Sequence, residues 1–479
     1  MDTLSWLSDV YGPRLTGSPG YKAASEWARD RFSKWGLANA RLEPWGKFGP
    51  GWSVERFSVE MTQPRYSRLI AYPCAWTPGT PGVIKGSPVL VEISGKNDFQ
   101  KYKGKLKGAI VLLGKPSAQA SRFEPPGQRV TAEQLVRRER AMDPGQPRDY
   151  FSEVDRFKEF VDKQKEIVQF LRDEGVAVVL EPSVRDDNVI EAAGLGYFLG
   201  TDPYFPALVV AKEQYGRMLR LLDKKIPMTL EINLTTKFYR EDEQSNNVVA
   251  EIPGSDPKLA EQLVMLGGHL DSWDSGTGAS DNGAGSAVVL EVARILKAID
   301  AHPRRTIRFA LWAGEEQGFF GSTGYVKQHF GNPETLELKP EQARVSGYFN
   351  LDNGSGRIRG VNLQGNEAVR PIFEAYLKPF QYLEASTLTV RNTGGTDHVL
   401  FNAVGIPGFQ FIQDPLDYGT RRHHTNIDVY EGAIEEDLQQ AAAIMASFVY
   451  HTAMRDEMLP RAPLPKPRSK GDQPTETGR

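Results

Sequence analysis

The spacing of hydrophobic positions changes near residue 245. Beyond that point short apolar runs alternate with longer segments whose apolar residues recur at helical spacing. The apolar runs predict strands at 263–266, 307–312, 345–351 and 408–412, and the helical spacing predicts helices at 286–299 and 433–454. Strands alternating with helices are typical of a mostly parallel sheet covered by helices. We therefore predict an α/β fold with a mostly parallel mixed sheet flanked by helices.

The first half of the chain has a different pattern. A helix is predicted over 23–35, where apolar residues keep helical spacing until Gly36 ends them. Beyond residue 68 the apolar pattern predicts a second set of elements, namely strands at 108–113, 176–180 and 228–234 and a helix at 160–172. The charged stretch 137–157 reads as a solvated insertion. These elements predict a second, smaller and strand-rich region.

Composition narrows the function classes. The 479 residues favour two or three domains. The 58 Lys and Arg against 61 Asp and Glu give a net charge of -3, which argues against a nucleic-acid binder. No apolar run approaches the roughly 18 residues that a membrane span needs. Because Cys74 is the one cysteine, neither an intramolecular disulfide nor a thiolate metal cluster can form. A metal site must therefore use His, Asp and Glu.

Metal-capable side chains follow the predicted strands of the second half. They are His269 and Asp271, Asp281 before the next helix, the tandem Glu315 and Glu316, Asp352, and the pair His423 and His424. Ligand sites of open α/β sheets lie outside the carboxyl ends of the strands. Two imidazoles and three carboxylates can hold a pair of divalent cations, one carboxylate bridging them, and this donor set suits zinc. A tandem Glu-Glu supplies one ligand and one general base.

Each motif alone has an ordinary interpretation. A His-x-Asp is commonly a hydrogen-bonded surface pair, a Glu-Glu a solvated turn, and Asp281-Asn282-Gly283 a turn that caps the next helix. The pair His423 and His424 could pack at a strand edge. The occurrence of all of them in chain order at strand ends favours a metal site. We assign no chemical role to His302, His329 and His451.

The motifs resemble a known family. Gly268-His269-Leu270-Asp271-Ser272, Gly278-Ala279-Ser280-Asp281-Asn282, Glu315-Glu316-Gln317-Gly318, Asp352 and His424-Thr425-Asn426-Ile427-Asp428 look like those of the co-catalytic zinc aminopeptidases of the M28 metallopeptidase family. The nearest resemblance is to the branch that includes carboxypeptidase Q. It implies a zinc aminopeptidase/phosphorylase-like fold with an inserted protease-associated (PA) domain. The domains implied are a peptidase domain over 1–67 and 236–460, a β-rich α+β PA domain over 68–235, and a flexible tail over 461–479.

The resemblance also implies a role for each residue. One zinc would bind His269, Asp281 and Asp352, and the second would bind Asp281, Glu316 and His424. Glu315 would be the general base and Asp271 would orient His269. A non-proline cis peptide bond is implied after Asp281. Asp397, His398 and Tyr418 are candidate substrate contacts. Tyr418 would serve as an oxyanion donor, and the alternative is a packed aromatic ring.

We therefore predict a di-zinc exopeptidase that removes N-terminal residues from peptides or cleaves dipeptides through a metal-bridged water. Its substrates would be peptides or dipeptides, its cofactors two Zn²⁺ per chain, and a homodimer stays an open alternative. The start of the chain has no leader pattern. The resemblance favours a secreted or periplasmic protein, with a cytoplasmic location as the alternative. Three other functions stay open: a carboxypeptidase of the same family, a single-metal glutaminyl-cyclase-like acyltransferase, and a non-catalytic receptor-like binding protein.

Overall fold

A computed structural model describes residues 1–118, 123–145, 150–192 and 205–466. Its largest sheet has eight strands, in the spatial order Ala38–Lys47, Gln244–Ile252, Thr306–Trp312, Leu263–His269, Val345–Asn350, Gly408–Gln413, Ile358–Asn362 and Thr387–Thr389. The four central strands of this order run parallel, while antiparallel pairs lie on both sides of them. The predicted mixed sheet of an α/β fold is confirmed.

Helices cover both faces of this sheet because its strands are apolar on both faces. Along the strand Thr306–Trp312, Phe309 points into one core and Trp312 into the other. The first core is closed by the helices Pro19–Lys34, Ala284–Ala298, Arg370–Leu377 and Glu435–Met454. The second core is closed by the helices Phe320–His329 and His398–Ala403. Ligand sites of such sheets lie at the carboxyl ends of the parallel strands.

The region between the first and second strands of the large sheet forms two smaller sheets. The antiparallel sheet has the order Ser67–Arg68, Gly51–Gln63, Thr229–Tyr239 and Ile84–Gly86. The other, mostly parallel, has the order Ala71–Pro73, Ala207–Val210, Val178–Pro182, Ile110–Leu113 and Pro88–Val91. One shared core joins them, and it includes Val59, Leu180 and Ile232. The helices here are Phe99–Tyr102, Ala132–Glu139, Tyr150–Glu174 and Lys212–Asp223.

The structure extends the predicted elements in three places. The first two strands of the large sheet, 38–47 and 244–252, have mixed sequences and were not predicted. The helices Ala132–Glu139 and Tyr150–Glu174 occupy much of the stretch predicted as a solvated insertion. At the other end of the chain, the Arg461 guanidinium donates to the carbonyls of Gln342, Val345 and Gly405. Packed contacts therefore continue past residue 460, and residues 467–479 of the predicted tail lie outside the described residues.

An ion network ties the edge strand Ala38–Lys47 to the sheet. His329 Nε2 lies 2.5 Å from Glu43 Oε1, and its Nδ1 lies 3.1 Å from Glu341 Oε2. Burial opposes the charge of His329, but hydrogen bonds to Glu341 and Glu43 raise its pKa to about 8. Burial likewise opposes ionisation of Glu341, yet His329 and Arg308 hold its pKa at about 2.

Within the described residues, no helix is long and apolar enough to cross a membrane.

Candidate metal site

Five side chains predicted as metal ligands converge at one edge of the large sheet. His269 is the last residue of its strand, Glu316 follows Trp312 after a short turn, and Asp352 comes two residues after the end of the strand Val345–Asn350. Asp281 lies in the turn before the helix Ala284–Ala298, and His424 lies in the loop after the strand Gly408–Gln413. The strands that carry the first three are parallel neighbours, so their carboxyl ends meet at this edge.

The two imidazoles face opposite oxygens of one carboxylate. His269 Nε2 lies 3.3 Å from Asp281 Oδ1 and 3.3 Å from Asp352 Oδ1. His424 Nε2 lies 3.3 Å from Asp281 Oδ2 and 2.9 Å from Glu316 Oε2. Asp281 therefore stands between two half-sites, each completed by one imidazole and one further carboxylate. This is the arrangement that a bridging carboxylate requires.

The residues fit a divalent cation. Three groups place their ligand atoms within 4.8 Å of one another, and they are His269 with Asp281 and Glu316, His269 with Glu315 and Asp352, and Asp281 with His423 and His424. Asp281 Oδ2 and Glu316 Oε1 are buried, and within the described structure neither accepts a hydrogen bond. Buried carboxylate oxygens that accept nothing from the protein are costly unless a cation balances them.

The electrostatics of the cluster point the same way. Burial raises the pKa of Glu315 well above its usual value, which His269 opposes and the neighbouring carboxylate of Asp352 reinforces. Burial and Asp281 do the same to the pKa of Glu316. Burial also opposes ionisation of Asp281, but the hydrogen bond with His269 and the two histidines of the loop hold its pKa below the usual range. Carboxyl groups crowded in this way can all be ionised when a positive charge lies beside them.

Asp271 contacts the site in a different way from the one predicted. The predicted bond would join its carboxylate to the His269 ring, but Asp271 Oδ1 lies 3.7 Å from His269 Nδ1. Nδ1 instead lies 3.0 Å from the main-chain carbonyl of Asp271. Because a carbonyl only accepts, this bond places the proton on Nδ1 and leaves the Nε2 lone pair facing the carboxylates. The carboxylate accepts from the amides of Glu315 and Glu316 at 3.2 and 3.3 Å, and so fixes the Glu-Glu turn.

Two residues that sequence reasoning gave no role shape the turn of Asp281. Asp428 accepts from the amides of Ser280 and Asp281 at 2.7 and 2.9 Å. The Asp281–Asn282 peptide bond is cis, as the resemblance implies. Arg14 is fully buried, and its guanidinium donates to the carbonyls of Leu7, Leu270, Thr277 and Gly278. Asp428 could have been found as the last residue of the His-Thr-Asn-Ile-Asp motif, whereas no local signal marks Arg14.

The three predicted substrate contacts differ in position. Asp397 is fully buried at the start of the helix His398–Ala403, and burial raises its pKa to about 7. His398 is also buried, which lowers its pKa to about 4, and its Nε2 lies 2.9 Å from the carbonyl of Thr393. Tyr418 packs edge-to-face against His423, with 5.0 Å between ring centroids. The His423 ring stacks on His424 and its Nε2 lies 3.7 Å from Asp281 Oδ2, so the structure brings both loop histidines to the cluster.

A cleft of about 720 Å³ adjoins the cluster. Tyr418 and Asn353, the residue after Asp352, line its end near the cluster. Arg138 and Arg391 line it as well, and the pKa of Arg138 is lowered by partial burial and by the charge of Arg391. Much of the remaining lining is amide and hydroxyl, contributed by Asn362, Thr389, Asn392, Thr393 and Gln413. The cleft is therefore polar and combines these two arginines with one carboxylate, Asp143, in contrast to the acidic cluster beside it.

Comparison with known proteins agrees with these features. Residues 247–449 match the family model of Peptidase family M28. Carboxypeptidase Q from Bos taurus is 28% identical over 461 residues, which cover 96% of this chain and 86% of that protein. The crystal structure of a peptidase M28 precursor from Shewanella amazonensis SB2B covers 97% of this chain and 95% of that chain, with a TM-score of 0.67 and 24% identity. The structure of BSAP, a zinc aminopeptidase from Bacillus subtilis, covers 95% of this chain and 94% of that chain, with a TM-score of 0.61 and 20% identity. The last two similarities show a common fold.

Proposed function

Residues 247–449 of this chain match Peptidase family M28, and on that premise we propose that the chain is a di-zinc exopeptidase that releases N-terminal residues from peptides or cleaves dipeptides. The observation that carries the proposal is the position of Asp281, which turns one oxygen toward each of two imidazoles. A zinc aminopeptidase shares the fold, and the nitrogen and oxygen donors suit zinc.

Each zinc would have its own ligands around the shared Asp281. His269 and Asp352 would complete one set, and Glu316 and His424 would complete the other. When bound, the two cations would polarise the scissile carbonyl and lower the pKa of the attacking water. The position of Asp281 between two imidazoles favours this proposal over a single-metal acyltransferase, and the presence of all five donors favours it over a receptor-like binding protein.

Glu315 would carry the proton. Its carboxylate lies within 4.0 Å of His269 Nε2, beside the proposed ligands, and its main-chain amide is held by Asp271. It would take the proton of the attacking water and return it to the amine that leaves. A group that must both accept and donate needs a pKa near the working pH, and burial moves the pKa of Glu315 in that direction.

The test of this assignment is a pair of amide substitutions. Glu315→Gln keeps size and polarity but cannot accept a proton, so we expect two zinc ions per chain and a kcat lower by about 10²- to 10⁴-fold. The matched variant Glu316→Gln weakens one proposed zinc ligand. It should therefore lose zinc at a lower chelator concentration than Glu315→Gln does. Zinc content by elemental analysis and steady-state kinetics separate the two effects. Zinc loss in Glu315→Gln with retention in Glu316→Gln would exchange their roles.

The cleft supports one alternative, a carboxypeptidase. An aminopeptidase binds a free α-amine through acceptors, which the acidic cluster offers, whereas a carboxypeptidase binds a free carboxylate, for which arginine is suited. Arg138 and Arg391 in the adjoining cleft could bind that carboxylate. Acetylating the amine of a short peptide should suppress hydrolysis strongly, and amidating its carboxylate should matter less. The reverse result would favour the carboxypeptidase, and sensitivity to both would indicate a dipeptidase.

We propose that residues 68–235 form an inserted PA-type unit, that the protein is exported to a secreted or periplasmic location, and that it can form a homodimer. Limited proteolysis, cell fractionation and light scattering after gel filtration test these in turn. The substrates that we propose are peptides or dipeptides.

A further inference from the structure

The loop that carries His424 meets the large sheet at its start, where Asp414 pairs with Arg359 at 3.0 Å. It runs over 414–427 after the strand Gly408–Gln413, and its one regular piece is the short turn Tyr418–Arg422. His424 itself has a φ of 62°, a left-handed conformation that a residue with a side chain rarely adopts. A conformation of this kind persists when surrounding contacts determine it. The contacts that hold this loop therefore decide where the His424 imidazole lies.

One set of contacts comes from 183–191, far away in sequence. The Asn426 amide donates to the carbonyl of Ile190 at 3.0 Å, and the Ile190 amide donates to Asn426 Oδ1 at 2.7 Å. Glu191 pairs with Thr425 in an isolated antiparallel bridge. The residues on both sides of this bridge thus hold the loop within two residues of His424.

Arg185 adds a second contact on the other side of His424. Its guanidinium donates to the carbonyl of Gly419 at 2.9 Å and to the carbonyl of His423 at 3.4 Å. Glu191 fixes the orientation of the guanidinium through an ion pair with Nε. The planar donor group can reach two separate carbonyls in fixed geometry, which a lysine ammonium cannot reproduce.

The beginning of the loop is held by another distant segment, 126–130. The Gln128 amide donates to the carbonyl of Leu416 at 2.9 Å, and Thr420 Oγ1 donates to the carbonyl of Pro126 at 2.7 Å. Arg129 and the Val130 amide bind the buried carboxylate of Asp414 at 2.8 and 2.9 Å. Both segments lie outside residues 247–449, the part that matches the family.

We infer that residues 183–191 form a clamp that positions His424 for its metal, with Arg185 and Asn426 as positioning residues. The inference rests on the proposed function, since it takes His424 as a ligand of one of two zinc ions. The region outside the family match is then part of the metal site itself, because it sets the affinity of the zinc that His424 binds. The zinc held by His269 and Asp352 does not depend on the clamp.

The experiment compares four variants of the full chain. Arg185→Gln and Asn426→Ala each remove contacts from opposite sides of the loop, Arg185→Lys is the conservative variant, and Arg220→Gln is a matched control in the helix Lys212–Asp223. Zinc content is measured against graded chelator, and the visible absorption of the cobalt-substituted protein reports the coordination of each metal. Loss of an orienting partner of a ligand costs about 10- to 100-fold in metal affinity.

We expect Arg185→Gln and Asn426→Ala to release one of two zinc ions at 10- to 100-fold lower chelator concentration, with the other zinc unchanged. Arg185→Lys should recover part of the affinity, Arg220→Gln should match the wild type, and kcat should fall more than KM rises. Wild-type zinc retention in both clamp variants, or loss of both zinc ions together with unfolding, would overturn the clamp. Fewer than two zinc ions in the wild-type protein would instead refute the proposed function, and with it the clamp.

Discussion

Arg14 joins the start of the chain to the metal site, and its replacement tests how much that joint contributes to stability. The side chain is fully buried, and its three nitrogens donate to four carbonyls at 2.7 to 3.0 Å. Burial lowers its pKa to about 10, against the carboxylates of Asp428 and Asp271, so it stays charged at neutral pH. Arg14→Met keeps much of the volume but removes every donor.

The magnitude follows from the acceptors left behind. A buried polar group that loses its partner costs about 1–3 kcal/mol. Four such carbonyls should therefore lower the free energy of unfolding by about 4 kcal/mol or more. Breaking a buried charged group away from its partners gives a similar figure, about 3–5 kcal/mol. Arg14→Lys should lose less than Arg14→Met, because one ammonium can reach only some of these carbonyls.

Urea unfolding followed by circular dichroism measures the loss. The matched control is Arg344→Met, since the Arg344 side chain is 52% exposed and pairs with the exposed Glu261. Such a surface pair contributes about 0–1 kcal/mol. Because Leu270, Thr277 and Gly278 lie beside His269 and Asp281 in sequence, Arg14→Met should also retain less zinc. A loss of stability no larger than that of Arg344→Met would refute the reasoning.

Two further predictions concern the bridging ligand and pH. Asp281→Ala should lose both zinc ions and essentially all activity. Chelation of the wild-type protein should also abolish activity, and added zinc should restore it. Full activity in metal-free protein would contradict the proposed mechanism. His329→Gln should destabilise the protein by about 2 kcal/mol at pH 6 and by little at pH 9.5. The folded pKa of about 8 lies above the usual 6.5, so this stabilisation is complete below 6.5 and is lost as pH rises through 8, which urea midpoints at the two pH values would show.

The sequence predicted the central sheet and the convergence of the candidate metal donors because each depends on local signals. A largely apolar run such as 307–312 identifies a buried strand, and a donor that follows it after a short turn, such as Glu316, is expected near the sheet edge. The edge strand Ala38–Lys47 escaped prediction because its mixed residues are half exposed and it is fixed by pairing with Gln244–Ile252. The ring partner of His269 escaped for another reason, since a main-chain carbonyl leaves no mark in the sequence.

The long-range contacts of Arg14 also determine when the site can form during synthesis. Its acceptors at Leu270, Thr277 and Gly278 are more than 250 positions away, and the turn of Asp281 waits for Asp428. A ribosome must therefore release more than half of the chain before Arg14 can meet these partners, and nearly the whole chain before Asp428 can fix the turn of Asp281. Contacts of such long range also close slowly. Until then, the carboxylates and histidines of the site belong to an open chain, and a nascent chain lacks the geometry needed to cleave peptides.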